Sequence, residues 1–176
     1  MPHYTFTFLS AAAPFAKTFG PEGAKPFPMF KNVTSIETKL EEPEDQLIPK
    51  FYKLLTSHAK VGNALLKGNL KKQLVNESRA GQWDQNPTTN WLCIDIDKLD
   101  LQHLKCMPDT PLKEMSDKIT QNLPEVFQKT SRIVQASSSF GDRSYKTSLH
   151  LFYLLDKDYY TSEIKDYLFG LNFNPF

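Results

Sequence analysis

The chain is poor in cysteine and glycine and carries almost no net charge, with 2 Cys, 7 Gly and 21 Lys and Arg against 20 Asp and Glu in 176 residues. Two cysteines cannot build a disulfide framework. Cys93 also lies in an apolar run that reads as a buried strand, so Cys93 and Cys106 read as small reduced thiols of an intracellular protein. Charge balance excludes a globally basic coat for nucleic acid but leaves a local basic face open. No stretch approaches the roughly 20 apolar residues of a membrane helix. The apolar stretch from Phe8 to Ala13 has no Lys or Arg before it and is interrupted by Pro14, which is unlike a secretory signal. The expected compartment is therefore the cytoplasm. Low-complexity tracts and internal repeats are also missing. What is present, 40% apolar and 23% charged residues, suits one folded domain at about 100–200 residues per domain.

Residues 1–35 are rich in Phe and Pro, with Tyr4 to Phe8 alternating as a short strand and the remainder reading as ordered but irregular chain. After Pro43 the pattern turns helical. Glu44 and Asp45 suit a first turn, and Leu47, Phe51, Leu54, Leu55 and His58 form one stripe, with His58 a polar residue at the helix end. Asn90 to Asp97 reads as a buried strand, and Thr110-Pro111 as an N-cap followed by proline at the first helical position. The helix that follows carries Leu112, Met115, Ile119 and Leu123. Residues 132–135 and 148–155 read as further strands, and Ser162 to Phe169 as a last helix stopped by Gly170. Interleaved helices and strands place the fold in the α/β or α+β class.

Charge has to be read locally. Between Asp45 and Glu77 there is no acidic residue, whereas Lys50, Lys53, Lys60, Lys67, Lys71 and Lys72 all fall there. Such a run is either a solvated surface or a track for phosphates.

Asp95-Ile96-Asp97 ends the hydrophobic strand. Residues i and i+2 of a strand share a face, which sets the two carboxylates side by side at roughly 6–7 Å along the backbone. Like charges so placed call for cations. The arrangement suits a pair of divalent metals about 3.5–4 Å apart, as in in-line nucleotidyl transfer. Asp97 and Asp100 opening a loop is the plainer alternative. A second candidate is His150 in mid-strand, sharing its face with Ser148, Phe152 and Leu154. The preceding stretch, Ser137 to Thr147, holds hydroxyls, Gly141, Arg143 and Lys146, and suits triphosphate oxygens.

Taken together, Leu92-Cys93-Ile94-Asp95-Ile96-Asp97 and, some fifty residues later, Ser148-Leu149-His150 resemble the two motifs of the archaeo-eukaryotic primase superfamily. Leu66-Lys67-Gly68-Asn69-Leu70 and Asn76-Glu77-Ser78-Arg79-Ala80-Gly81 look like the upstream region of its phage-encoded members, so the resemblance covers about residues 60–175. It implies an N-terminal α/β unit (about 1–85) joined to an RRM-like unit (about 86–176), with the active site in the cleft between. It also implies a primase or primase-polymerase that makes primers on single-stranded DNA in phage or plasmid replication. Asp95 and Asp97 would hold two Mg²⁺ or Mn²⁺ ions. His150 would act with them on the incoming nucleoside triphosphate or deoxynucleoside triphosphate, helped by Ser148, Ser137, Ser139, Arg143, Lys146 and Arg79. Lys60, Lys67, Lys71 and Lys72 would follow the DNA template, and Trp83, if not buried in a core, or Phe140 would stack on bases. Core burial is the first expectation for Trp83.

The family pattern includes a third acidic residue on a later strand. Asp156, Asp158, Glu163 and Asp166 are not well placed for it, so two expectations stand: either the third ligand lies beyond Phe176, in a longer polypeptide that can also carry or meet a replicative helicase, or the chain departs from the family pattern in a way that loosens metal binding and weakens catalysis. Two other readings stay open. A glycosyltransferase with a DxD-type metal site would use Asp95 and Asp97 but not the Ser-x-His strand. A non-catalytic RRM-like module would bind nucleic acid through exposed aromatics on the strand face.

Overall fold

The computed structural model describes residues 3–20, 23–25, 30–137 and 146–170. Among these residues the fold is mixed α+β, with four helices, two small antiparallel three-stranded sheets and one further two-stranded hairpin. The chain divides into two compact units. One holds the residues up to Asn90 together with Asp156–Glu163, and the other holds Trp91–Leu155 and the chain from Ile164 onward.

In the first unit, β1 (His3–Ser10) alternates as its sequence predicts. Tyr4, Phe6 and Phe8 are buried, and α1 (Glu44–Lys60) covers them with Leu47 and Phe51. The Phe6 and Phe51 rings stack at 4.5 Å. β2 (Thr18–Gly20) and β3 (Gly23–Lys25) form the hairpin, and the three-stranded sheet has the order β4-β1-β5, with β4 at Thr34–Glu41 and β5 at Ala64–Leu65. β4 falls outside the segments that the sequence marks as strands. Its polar and charged residues hide it, since only Ser35 and Leu40 of the strand are buried, and its place comes from full pairing with β1, from His3 opposite Glu41 to Ser10 opposite Thr34. Gly62 turns the chain after α1 with φ of 77°, and a Cβ there would run into Pro14. Only glycine meets both demands.

His58 is more than a polar helix end. Its ring lies flat on Phe8, with centroids 3.6 Å apart, and Asn63 Nδ2 donates to Nδ1 at 3.0 Å. Burial pushes its pKa below the ordinary 6.5. The proton therefore binds more readily to the unfolded chain, so His58 favours folding at neutral pH and this contribution is lost as pH falls through 6.5 toward the lowered value. Unfolding stability measured at pH 7.5 and 5.5 is expected to drop less on acidification for His58→Phe than for the wild type; equal drops would remove His58 from the balance.

The second unit is built on the sheet β6-β8-β7, whose strands are Thr88–Asp100, Lys146–Tyr160 and Ile133–Ala136. α2 (Leu112–Thr120) and α3 (Glu125–Lys129) supply the facing core residues Met115, Ile119 and Phe127. They pack with Leu149, Leu151 and Tyr153 of β8, while Leu92, Ile94 and Ile96 of β6 and Leu168 of α4 (Thr161–Gly170) close the edges. The Tyr153 hydroxyl is buried with no hydrogen-bond partner among the described residues, and burial pushes its pKa up to about 12.

Pro111, not Thr110, stands at the N-cap of α2. Its carbonyl accepts the Met115 N–H at 3.0 Å, and the Thr110 hydroxyl instead accepts the Met107 N–H at 2.8 Å, closing the preceding turn. Arg132, just before β7, ties the sheet to α2 by donating to Ser116 Oγ at 3.0 Å and pairing with Asp117. Lys113 and Arg132 together hold the Asp117 carboxyl below its usual range, the hydrogen bond from Lys113 being the larger cause. No helix among the described residues is long and apolar enough to cross a membrane.

Candidate functional site

Strand alternation sends Leu149, Leu151 and Tyr153 into the core, so Ser148, His150 and Phe152 stand on the opposite face of β8. On β6 the same logic turns Ile94 and Ile96 toward the core and Asp95 and Asp97 away from it. The sheet then joins the two motifs. His150 Nε2 lies 3.2 Å from Asp95 Oδ1, and the Ser148 hydroxyl donates to Asp97 Oδ1 at 2.8 Å. The two contacts step in opposite directions along β6 and β8, as an antiparallel ladder requires.

β7 extends both rows. Gln135 pairs with His150 in the ladder and sets its Oε1 3.4 Å from Nδ1, while the Ser137 N–H donates to the Ser148 carbonyl at 3.0 Å. Two parallel rows result, Asp95–His150–Gln135 and Asp97–Ser148–Ser137. Lys146, exposed at the start of β8, shares this face by alternation. Nothing in the sequence marks Gln135, because a cross-strand neighbour is known only once the register is known.

Openness differs along the face. The Asp95 side chain is 54% exposed and that of His150 27%, whereas Ser148 is only 3% exposed. Asp97 is exposed as well. Two solvent-open carboxylates on one rigid strand are hard oxygen donors of the kind Mg²⁺ and Mn²⁺ take, and the donor chemistry fits such ions. Among the described residues no group of three His, Cys, Asp or Glu side chains is gathered to hold a metal. Asp156 accepts the Tyr159 hydroxyl at 2.9 Å and belongs, with Asp158 and Glu163, to the first unit. Phe152 is 5% exposed and its ring meets His150 edge-on at 6.1 Å, so it is not an open stacking platform. Ser139, Arg143 and Phe140 lie outside the described residues.

The remaining candidates sit in the first unit. Arg79 is exposed in a turn closed by the Gln82 N–H on its carbonyl at 3.1 Å. Glu77, a natural partner for it, pairs with Lys72 instead. The lysine run is partly matched by the acids at its borders, with Lys50 3.3 Å from Glu42, and Lys71 donates to the Gly81 carbonyl at 3.3 Å. Lys60 ends α1 and is exposed, as is Lys67. Trp83, expected in a core, is 41% exposed, since the irregular chain around its single bridge to Leu70 provides no second layer to cover it.

A groove of about 920 Å³ lies over the polar face of β1 and β4. Lys39, Lys72 and His3 line it against Glu37, Asp84 and Asp158, together with Thr and Asn side chains. That mixture of signs does not make a track for a polyanion.

No family model, no curated protein and no solved structure matches the chain.

Proposed function

We propose that this chain is the catalytic core of a primase or primase-polymerase of the archaeo-eukaryotic type, an α/β unit joined to an RRM-like sheet, acting by metal-dependent, template-directed nucleotidyl transfer on single-stranded DNA. The observation that supports this reading is the convergence on one sheet face of two motifs some fifty residues apart, with Asp95 beside His150 and Asp97 beside Ser148. Neither a loop-opening aspartate nor a lone core histidine accounts for both contacts.

In this reading Asp95 and Asp97 hold Mg²⁺ or Mn²⁺. When bound, such ions lower the barrier to nucleotidyl transfer by neutralising charge on the triphosphate and favouring the ionised primer 3′-hydroxyl. The protein's share is placement. His150, held between Asp95 and Gln135 in mid-strand, presents its ring to the triphosphate, and Lys146 on the same face adds a positive charge for phosphate oxygens. Ser137 borders the same rows. Arg79, Lys60, Lys67, Lys71 and Lys72 are assigned to the nucleotide and template backbones, where each contributes a sequence-independent attraction that weakens with salt.

The buried Phe152 and the open carboxylates favour an enzyme over a module that stacks bases on its strand face. The test is primer synthesis on single-stranded DNA with labelled ribo- or deoxynucleotides and Mg²⁺ or Mn²⁺. Metal-dependent products that follow the template sequence are expected. Absence of products together with turnover of a nucleoside diphosphate sugar would overturn the reading in favour of a glycosyltransferase; DNA binding indifferent to metal and to Asp95→Ala would overturn it in favour of a binding module.

A further inference from the structure

The place of Ser148 leaves its hydroxyl little to offer a phosphate. A serine hydroxyl has one proton to donate and two lone pairs. Here the proton goes to Asp97 Oδ1 at 2.8 Å, and a lone pair receives the Lys98 backbone N–H at 2.9 Å. Ser148 as a whole is 3% exposed, so the donor is committed and shielded.

Lys98, the recipient of this attention, has φ of 55°, the left-handed region that a residue with a side chain rarely adopts. Around it the strand loses step. Leu92, Ile94 and Ile96 turn to the core, yet the next core residues are Leu99 and Leu101. The interval from Ile96 to Leu99 is one residue longer than strand alternation allows, the mark of an inserted residue that bends a strand. Asp97 is the last residue before that bend, and its carboxylate direction depends on how the bend is held.

We infer that Ser148 is a positioning residue: its hydroxyl clamps the Lys98 bend of β6 and aims the Asp97 carboxylate, and by that aim it sets the affinity of the site for a divalent cation. The inference rests on the reading of Asp97 as a metal ligand. Groups that orient a metal ligand commonly change metal affinity by about 10–100-fold when removed.

The experiment uses the full chain without nucleotide. Free Mn²⁺ is titrated by electron paramagnetic resonance, and exchange of the Lys98 amide is followed by NMR in metal-free protein, with the Leu151 amide as a reading of the intact core. Ser148→Ala is expected to weaken Mn²⁺ binding by about 10–100-fold and to speed Lys98 exchange by about tenfold, with Leu151 unchanged. Ser148→Thr, which keeps the hydroxyl, is expected to restore both. If Ser148→Ala does not fold, Ser148→Cys carries the same measurements, its thiol being a weak donor and acceptor.

Unchanged Mn²⁺ affinity in a folded variant overturns the inference, as does unchanged exchange at Lys98. A serine that served the triphosphate alone would leave both readings at wild-type values. If the wild type itself takes up no Mn²⁺, the metal reading of Asp97 fails, and with it the cation role of Ser148; faster Lys98 exchange in Ser148→Ala then upholds the clamp alone.

Discussion

Exchanging Asp95 and Asp97 together for asparagine is expected to lower template-directed nucleotide addition by at least about 10³-fold, because charge stabilisation by bound metal is worth several kcal/mol and each 1.36 kcal/mol is tenfold in rate. The fold should survive. Both side chains are exposed, asparagine has the same shape, and its Oδ1 can still accept the Ser148 hydroxyl that Asp97 accepts at 2.8 Å. The measurement is incorporation of labelled nucleotide on single-stranded DNA in Mn²⁺, with thermal unfolding recorded on the same samples. A double variant that folds and keeps the wild-type rate would take the chemistry away from these carboxylates.

Leu151→Ala is expected to destabilise the second unit by about 2–5 kcal/mol, the range for a leucine removed from a closed core. Leu151 is 0% exposed on β8, and its cluster includes Met115, Ile119 and Phe127 from the two helices that cover the sheet. It also neighbours His150 along the chain, on the face opposite the site. Urea unfolding gives the shift in midpoint. Leu151→Met, close in volume, should cost less than about 1.5 kcal/mol. A loss under about 1 kcal/mol for Leu151→Ala would mean that this face of β8 is not packed as described.

The amphipathic stripe of α1, the alternation of β1 and the apolar runs of β6 and β8 are local patterns, and their boundaries came within a few residues for α1 and β1. β8 is longer, reaching Tyr160, because charged residues such as Asp156 and Lys157 can continue a strand that polarity alone would end. β4 was invisible for a related reason. A strand of threonines and charges declares itself by its partner, and β1 is that partner. Trp83 shows the opposite failure, since hydrophobic content says what a side chain prefers but not whether a second layer exists to cover it.

The site divides in the same way. Period-two geometry within one strand was enough to place Asp95 with Asp97 and Ser148 with His150 on shared faces. That β6 and β8 are neighbours, and in a register that sets Asp95 against His150 and Asp97 against Ser148, was decided by the sheet. Pairing across some fifty residues depends on which core faces find each other, and a slip of one residue would have turned every carboxylate to the other side. Gln135 and the bend at Lys98 belong to that tertiary share: the first is defined by the β7 register, and the second by a left-handed backbone whose N–H is held by a hydroxyl from the next strand.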